Sequence, residues 1–228
     1  MASGAGASAG AGGSDDGCTA ALTQCADCID NDGDGQVDAW DPECVGPLDN
    51  DEGAFTKSIP DRFRNCQWVD CYFDGSAGSG DDKCQMSPTC DPLKPYETIC
   101  GYDPRSECLA LAPECLDNCL PLTPNGCDCF GCCSVPLADG STVRVLLESF
   151  GCDRAHAGDP AICHPCTGTP ACDNPCETCE YCLGKHELPP ECGGVADPCP
   201  GGAQACAPDV ACPPSFYCLT GCCIEFPR

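Results

Sequence analysis

Large apolar side chains are scarce in this sequence. Leu, Ile, Val and Phe together make up 34 of 228 residues, about 15%. A chain below roughly 20% with a high net charge ordinarily stays disordered. Basic residues are scarcer still: 10 Lys and Arg stand against 36 Asp and Glu, for a formal net charge of −26 and a pI near 4.1. Such a surface repels phosphate backbones and anionic headgroups, so neither nucleic acid nor a membrane surface is an expected partner. No apolar run approaches the roughly 18 residues that a membrane span requires. The longest aliphatic stretch, Val143 to Leu147, is interrupted by Arg144. Histidine occurs three times, at His156, His164 and His186, and none has a Ser or carboxylate neighbour in a nucleophile pattern. No GxSxG, HExxH, phosphate-cradling GxxxxGK or dinucleotide fingerprint occurs. The reading is therefore of a non-enzyme.

Cysteine is abundant instead. Thirty of 228 residues are Cys, above the roughly 8–10% that marks a short secreted chain as a disulfide scaffold. An even number of thiols can pair completely in an exported protein and would be a liability in a reducing cytosol. An extracellular or cell-surface location follows as the expectation. Met1 to Gly17 is rich in Gly, Ala and Ser, with neither a basic start nor an apolar h-region. It reads as a flexible tether of the kind that follows a cleaved leader, not as a signal peptide.

CxxC pairs occur at Cys25/Cys28, Cys129/Cys132, Cys163/Cys166, Cys176/Cys179 and Cys179/Cys182. At this cysteine density chance alone supplies roughly four of them, so the spacing carries little information about zinc or redox chemistry. The run Cys176, Cys179, Cys182 departs from an iron–sulfur segment because the next ligand position is His186. The cysteines are read as structural disulfides. The adjacent pairs Cys132–Cys133 and Cys222–Cys223 are expected to reach separate partners, because a vicinal ring is strained.

Composition shifts divide the chain into the tether 1–17, an acidic module 18–52, a cysteine-rich module 53–150, a second at 151–192, a Gly-rich linker 193–204 and a tail 205–228. A short helix is expected over Cys18 to Cys28, with Leu22, Cys25 and Cys28–Ile29 on one face. Another is expected over Ser106–Cys119, broken at Pro113. Val135–Ala138 and Thr142–Ser149, separated by Asp139-Gly140, read as a β-hairpin. The fold class is small and disulfide-rich: mostly irregular loops, short helices and at least one hairpin near 134–149.

The most specific chemistry lies in Asp30-Asn-Asp32-Gly-Asp34-Gly35-Gln36-Val37-Asp38-Ala-Trp-Asp41. With Asp30 as position 1 of a calcium loop, carboxylates fall at 1, 3, 5, 9 and 12. Glycine falls at 6, and the Gln36 backbone carbonyl falls at 7. A hard cation needs six to eight oxygens, alternating Asp side chains can wrap it, and Gly35 permits the sharp turn. Without a cation the five carboxylates repel, each pair by about 0.8 kcal/mol at about 5 Å in water. Calcium is therefore the expected cofactor and partner, held by Asp30, Asp32, Asp34, Asp38, Asp41 and the Gln36 backbone. Position 12 is Asp rather than a bidentate Glu, and Pro42 and Cys44 oppose an exit helix.

The stretch 28–44, a DxDxDGxxDxxD pattern followed by cysteine, resembles a thrombospondin type 3 repeat. That resemblance implies structural calcium ions wrapped by chain with little secondary structure. The wider chain over 25–192 resembles cysteine-rich exported proteins of myxobacteria. The resemblance is carried by Asp-Pro-Glu-Cys44, Gly-Pro-Leu-Asp-Asn-Asp-Glu52, Cys71-Tyr-Phe-Asp-Gly75, Gly80-Asp-Asp82 and Thr123-Pro-Asn-Gly-Cys-Asp-Cys-Phe-Gly-Cys-Cys133. It implies export and calcium.

Weaker calcium candidates are Asp49, Asp51 and Glu52, which could complete the first site or form a second, and Asp74, Ser76, Asp81 and Asp82 in a Gly-rich loop. Two functions fit. One is a calcium-stabilised structural or adhesive surface protein, assembling with itself or other extracellular proteins. The other is a secreted inhibitor or toxin-like binding protein that uses a cysteine-closed loop in 60–134, with Trp68, Tyr72 and Phe73 as anchors unless they are buried beside disulfides.

Overall fold

Disulfides and short antiparallel ladders, rather than helices, organise this chain. The computed structural model describes residues 23–56, 68–75, 83–93, 101–103 and 110–226. Twelve disulfides join cysteines within them: 25–44, 71–119, 84–115, 127–133, 129–172, 132–166, 152–163, 176–182, 179–192, 199–222, 206–218 and 212–223. Cys28 and Cys90 are also disulfide-bonded, and no described cysteine is free. Each vicinal pair reaches two different partners, as expected: Cys132 to Cys166 and Cys133 to Cys127, Cys222 to Cys199 and Cys223 to Cys212. No CxxC pair closes on itself.

The one α-helix among the described residues, α1, spans Pro113–Asn118. Proline opens this helix instead of breaking it, because the first turn has no use for the missing N–H. The part of the expected helix at 106–109 lies outside the described residues. Cys115 and Cys119, four apart and so on one face, are buried and bonded to Cys84 and Cys71. The helix expected at the start of the acidic module is a single 3-10 turn, Gln24–Ala26, with residues 18–22 outside the description. Cys28 adopts φ 63° and Ile29 is exposed, not on a buried face. The Asp38 carboxylate takes the N–H groups of Asp27 and Cys28 and so turns the chain there.

The expected hairpin is present and begins earlier than the hydrophobic alternation suggests. β1 (Cys127–Asp128), β2 (Cys132–Pro136), β3 (Thr142–Leu146) and β4 (Asp173–Asn174) form an antiparallel sheet of order β3-β2-β1-β4. Val135 faces Val143, and Cys133 faces Val145. In the connecting turn Asp139 accepts from the Ser141 N–H and hydroxyl, and Gly140 takes φ 83°, a left-handed conformation natural to glycine. The core packs Phe55, Val69, Phe130, Val135, Val145, Leu147 and Leu183 among half-cystines. A second ladder pairs β5 (Phe216–Leu219) with β6 (Cys222–Glu225).

Segments distant in sequence meet at several points. The Asp197 N–H donates to the Cys179 carbonyl at 2.8 Å, and the Asn125 N–H donates to the Thr220 hydroxyl at 3.3 Å. Trp40 stands edge-on to Tyr181 and His186, and a His186 ring nitrogen lies 2.7 Å from the Trp40 carbonyl oxygen.

Candidate metal centre

The two acidic runs of the sequence come together because the chain folds back at Cys44. The Cys25–Cys44 disulfide closes the module. The Cys25 N–H then bonds the Asp49 carbonyl at 3.3 Å, and Gln24 bonds both Asn50 and Glu52. Inside the loop the carboxylates fold onto their own backbone. Asp30 accepts from the N–H of Gly33 at 2.6 Å and of Gly35 at 3.1 Å. Asp32 accepts from Asp34 at 2.9 Å, and Asp34 from Gln36 at 2.7 Å. These are turns in which a short acidic side chain caps the backbone two or more residues on. Gly33 and Gly35, at φ 86° and 97°, permit the curl.

Oxygens from Asp30, Asp32 and Asp34 converge within 4.8 Å of one another. Among the described residues this is the one acidic group so close; Asp38 and Asp41 stand apart from it. Comparison with known proteins finds no matching family model, curated protein or solved structure.

Four further carboxylates of the module, Asp41, Glu43, Asp49 and Glu52, are buried. Glu52 straddles the loop, accepting from the N–H of Asn31 at 2.6 Å through one oxygen and of Asp38 at 2.8 Å through the other. Asp49 is fully buried and accepts from Val45 and Asp51. Asp41 is also fully buried; Oδ1 accepts from the Glu43 N–H at 2.7 Å, and a side-chain hydrogen bond joins its carboxyl to that of Glu43. Glu43 accepts from the Arg154 N–H at 2.9 Å. Burial is the main cause that raises these carboxyls. Asp38 is pushed up to about 6 and Asp41 to about 8, with Glu43, Asp34 and Glu52 adding repulsion at Asp41. Glu43 and Glu52 are raised for the same first reason. A divalent cation would supply the missing charge and reverse these shifts.

The trio, Asp38, Asp41, Asp49, Asp51 and Glu52 thus all belong to one module. Gln36 is exposed there. Asp74 is half-buried in a separate turn, where a Cβ on Gly75 would overlap Leu48. Ser76, Asp81 and Asp82 lie outside the described residues. Sulfur atoms also gather at Cys84, Cys115, Cys129 and at Cys206, Cys212, Cys223. All six are in disulfides, so none is the thiolate that zinc requires.

Sequence reasoning missed Glu43 and Tyr217. Glu43 sits in the Asp-Pro-Glu-Cys step and carries no positional signal. Tyr217, on β5, reaches the module from the far end of the chain. Its ring is buried, its hydroxyl has no hydrogen-bond partner, and burial followed by Asp38, Asp49, Asp41 and Glu52 raises its phenol above the ordinary value. No local pattern marks such a residue.

Proposed function

We propose that this protein is an extracellular, calcium-stabilised structural or adhesive surface protein, in which a bound ion orders residues 28–52 and disulfides hold the remaining loops. The observation that carries the reading is the convergence of Asp30, Asp32 and Asp34 in a module whose Asp41, Glu43, Asp49 and Glu52 are buried. A hard cation takes six to eight oxygens, and the loop brings three carboxylates toward that shell from one short stretch. The disulfides make the chain suited to an oxidising compartment, where calcium is often abundant and a permanent structural ion is reasonable. The helices of the described residues include none long and apolar enough to cross a membrane. The inhibitor reading draws less support: Tyr72 and Phe73 are buried, leaving Trp68 the exposed one of its three aromatic anchors.

The test is thermal unfolding of the oxidised full chain in calcium and in EDTA, with calorimetric titration of the chelated protein. Calcium at a hundredfold excess over Kd should add about 2.7 kcal/mol to stability. The Asp32→Asn and Asp34→Asn variants should lose most of that gain. Identical melting in calcium and EDTA, with no heat of binding, would overturn the calcium assignment.

A further inference from the structure

The disulfide Cys176–Cys182 stands apart from the other eleven in its exposure. Cys176 is exposed, whereas every half-cystine of the others is buried or half-buried. Its partner Cys182 is buried. Both line a cavity of about 430 Å³, together with Asp173, Glu177, Thr178 and Lys185, and β2 and β3 contribute to its wall. A cation lies beside the exposed sulfur: Lys185 Nζ is 3.8 Å from Cys176 Sγ. The ammonium is fixed there by donating to the carbonyl oxygens of Glu177 at 3.2 Å and Thr178 at 2.9 Å. The backbone supports the same geometry. The Cys182 N–H donates to the Lys185 carbonyl at 3.0 Å, and the Lys185 N–H to the Cys182 carbonyl at 2.8 Å. Lys185 is the one basic residue on the lining. Asp173, which is acidic, is already paired with Arg144 at 2.6 Å.

Thiol–disulfide exchange needs an accessible sulfur and a thiolate able to approach it. At a formal net charge of −26 the molecule repels anions, so a fixed ammonium beside one accessible sulfur singles that sulfur out. We propose that Cys176–Cys182 is an exchange site for low-molecular-weight thiols, with Cys176 the sulfur attacked and Lys185 positioning the incoming thiolate. The thiolate sulfur bonds to Cys176 Sγ as the Cys176–Cys182 bond breaks. The electron pair leaves on Cys182 Sγ, which takes a proton from water. One disulfide is lost and one is formed, so no external oxidant or reductant is consumed. The chain then carries a mixed disulfide at Cys176 and a thiol at Cys182. Attack by the Cys182 thiolate on Cys176 Sγ expels the small thiol and restores the ring. Cys179–Cys192 ties the same segment down while the ring is open. The cavity suits a small thiol better than a protein cysteine, because the attacked residue forms part of its wall.

The experiment exposes the oxidised full chain, without denaturant, to reduced glutathione at mildly alkaline pH. Samples are quenched in acid, free thiols are alkylated, and the modified cysteines are identified by peptide mass spectrometry. The first product should carry glutathione on Cys176 and an alkylated Cys182, before any other disulfide opens. Lys185→Gln should slow its formation about 3- to 5-fold, the effect of one unit charge about 4 Å away in water. Lys185→Arg keeps the charge and should retain most of the wild-type rate. Added salt should narrow the gap between wild type and Lys185→Gln. A first adduct at any other cysteine, or none at Cys176, overturns the exchange site; this result is read from wild type alone and needs no variant to fold. An unchanged or faster rate in Lys185→Gln would mean that Lys185 only braces the loop carbonyls, which overturns its positioning role.

Discussion

Glu52 and Asp41 show how single side chains set the behaviour of the acidic module. Glu52 holds two backbone N–H groups, Asn31 and Asp38, on opposite sides of the loop. Replacing it with Ala leaves the half-buried Asp38 donor without an acceptor, and should destabilise the calcium-loaded protein by about 1–3 kcal/mol, read from chemical denaturation. Asp38 and Asp41, raised from 3.8 to about 6 and about 8, bind protons more readily folded than unfolded. The sign follows from linkage: a folded state that binds more protons is stabilised as pH falls. The chelated protein should therefore lose stability as pH rises from about 4 through 6 to 8, with the loss levelling off above that. The groups acting on these two carboxyls are Asp27, Asp34, Glu43 and Glu52. Saturating calcium should flatten the slope, since an ion keeps the carboxylates charged. Melting temperatures across that range, with and without EDTA, check both statements.

Short elements depend on a few anchors. The β2–β3 hairpin was readable from Val143, Val145 and Asp139-Gly140, because alternation and turn chemistry act over neighbouring residues. Its true start at Cys132 was not readable, because pairing there depends on β1 and on Cys166 and Cys127. Pro113 misled for a related reason: the same ring that breaks a helix interior is favoured in its first turn, and only the position of the helix decides which applies. Leu147, directly after β3, is fully buried in the main core. Leu147→Ala should cost about 2–5 kcal/mol, measured by denaturant titration under oxidising conditions. A cost below that range would mean that half-cystines, not aliphatic side chains, fill this part of the interior.

Covalent links carry much of the whole molecule's stability, since its apolar core is small for its length. Each disulfide typically contributes about 2–4 kcal/mol by restricting the unfolded chain, although nested loops are not additive. Full reduction should unfold the protein even in saturating calcium, with loss of near-UV circular dichroism. Before reduction, the denatured protein should present no reactive thiol from the described cysteines. Disulfide-rich class and cysteine pairing in general were legible from residue counts; of the six ligands expected around one ion, Asp30, Asp32 and Asp34 group together, while Asp38 and Asp41 fall outside that group. Close spacing around Gly33 and Gly35 brings the three nearest Asp residues together, whereas Asp38 and Asp41 are drawn to the backbone of Asp27, Cys28 and Glu43. Which cysteine meets which, the burial of Asp41, Asp49 and Glu52, and the arrival of Tyr217 and His186 beside the loop were settled only by the folded chain. Those contacts join segments far apart in sequence, and their energy comes from packing and burial that no local pattern encodes.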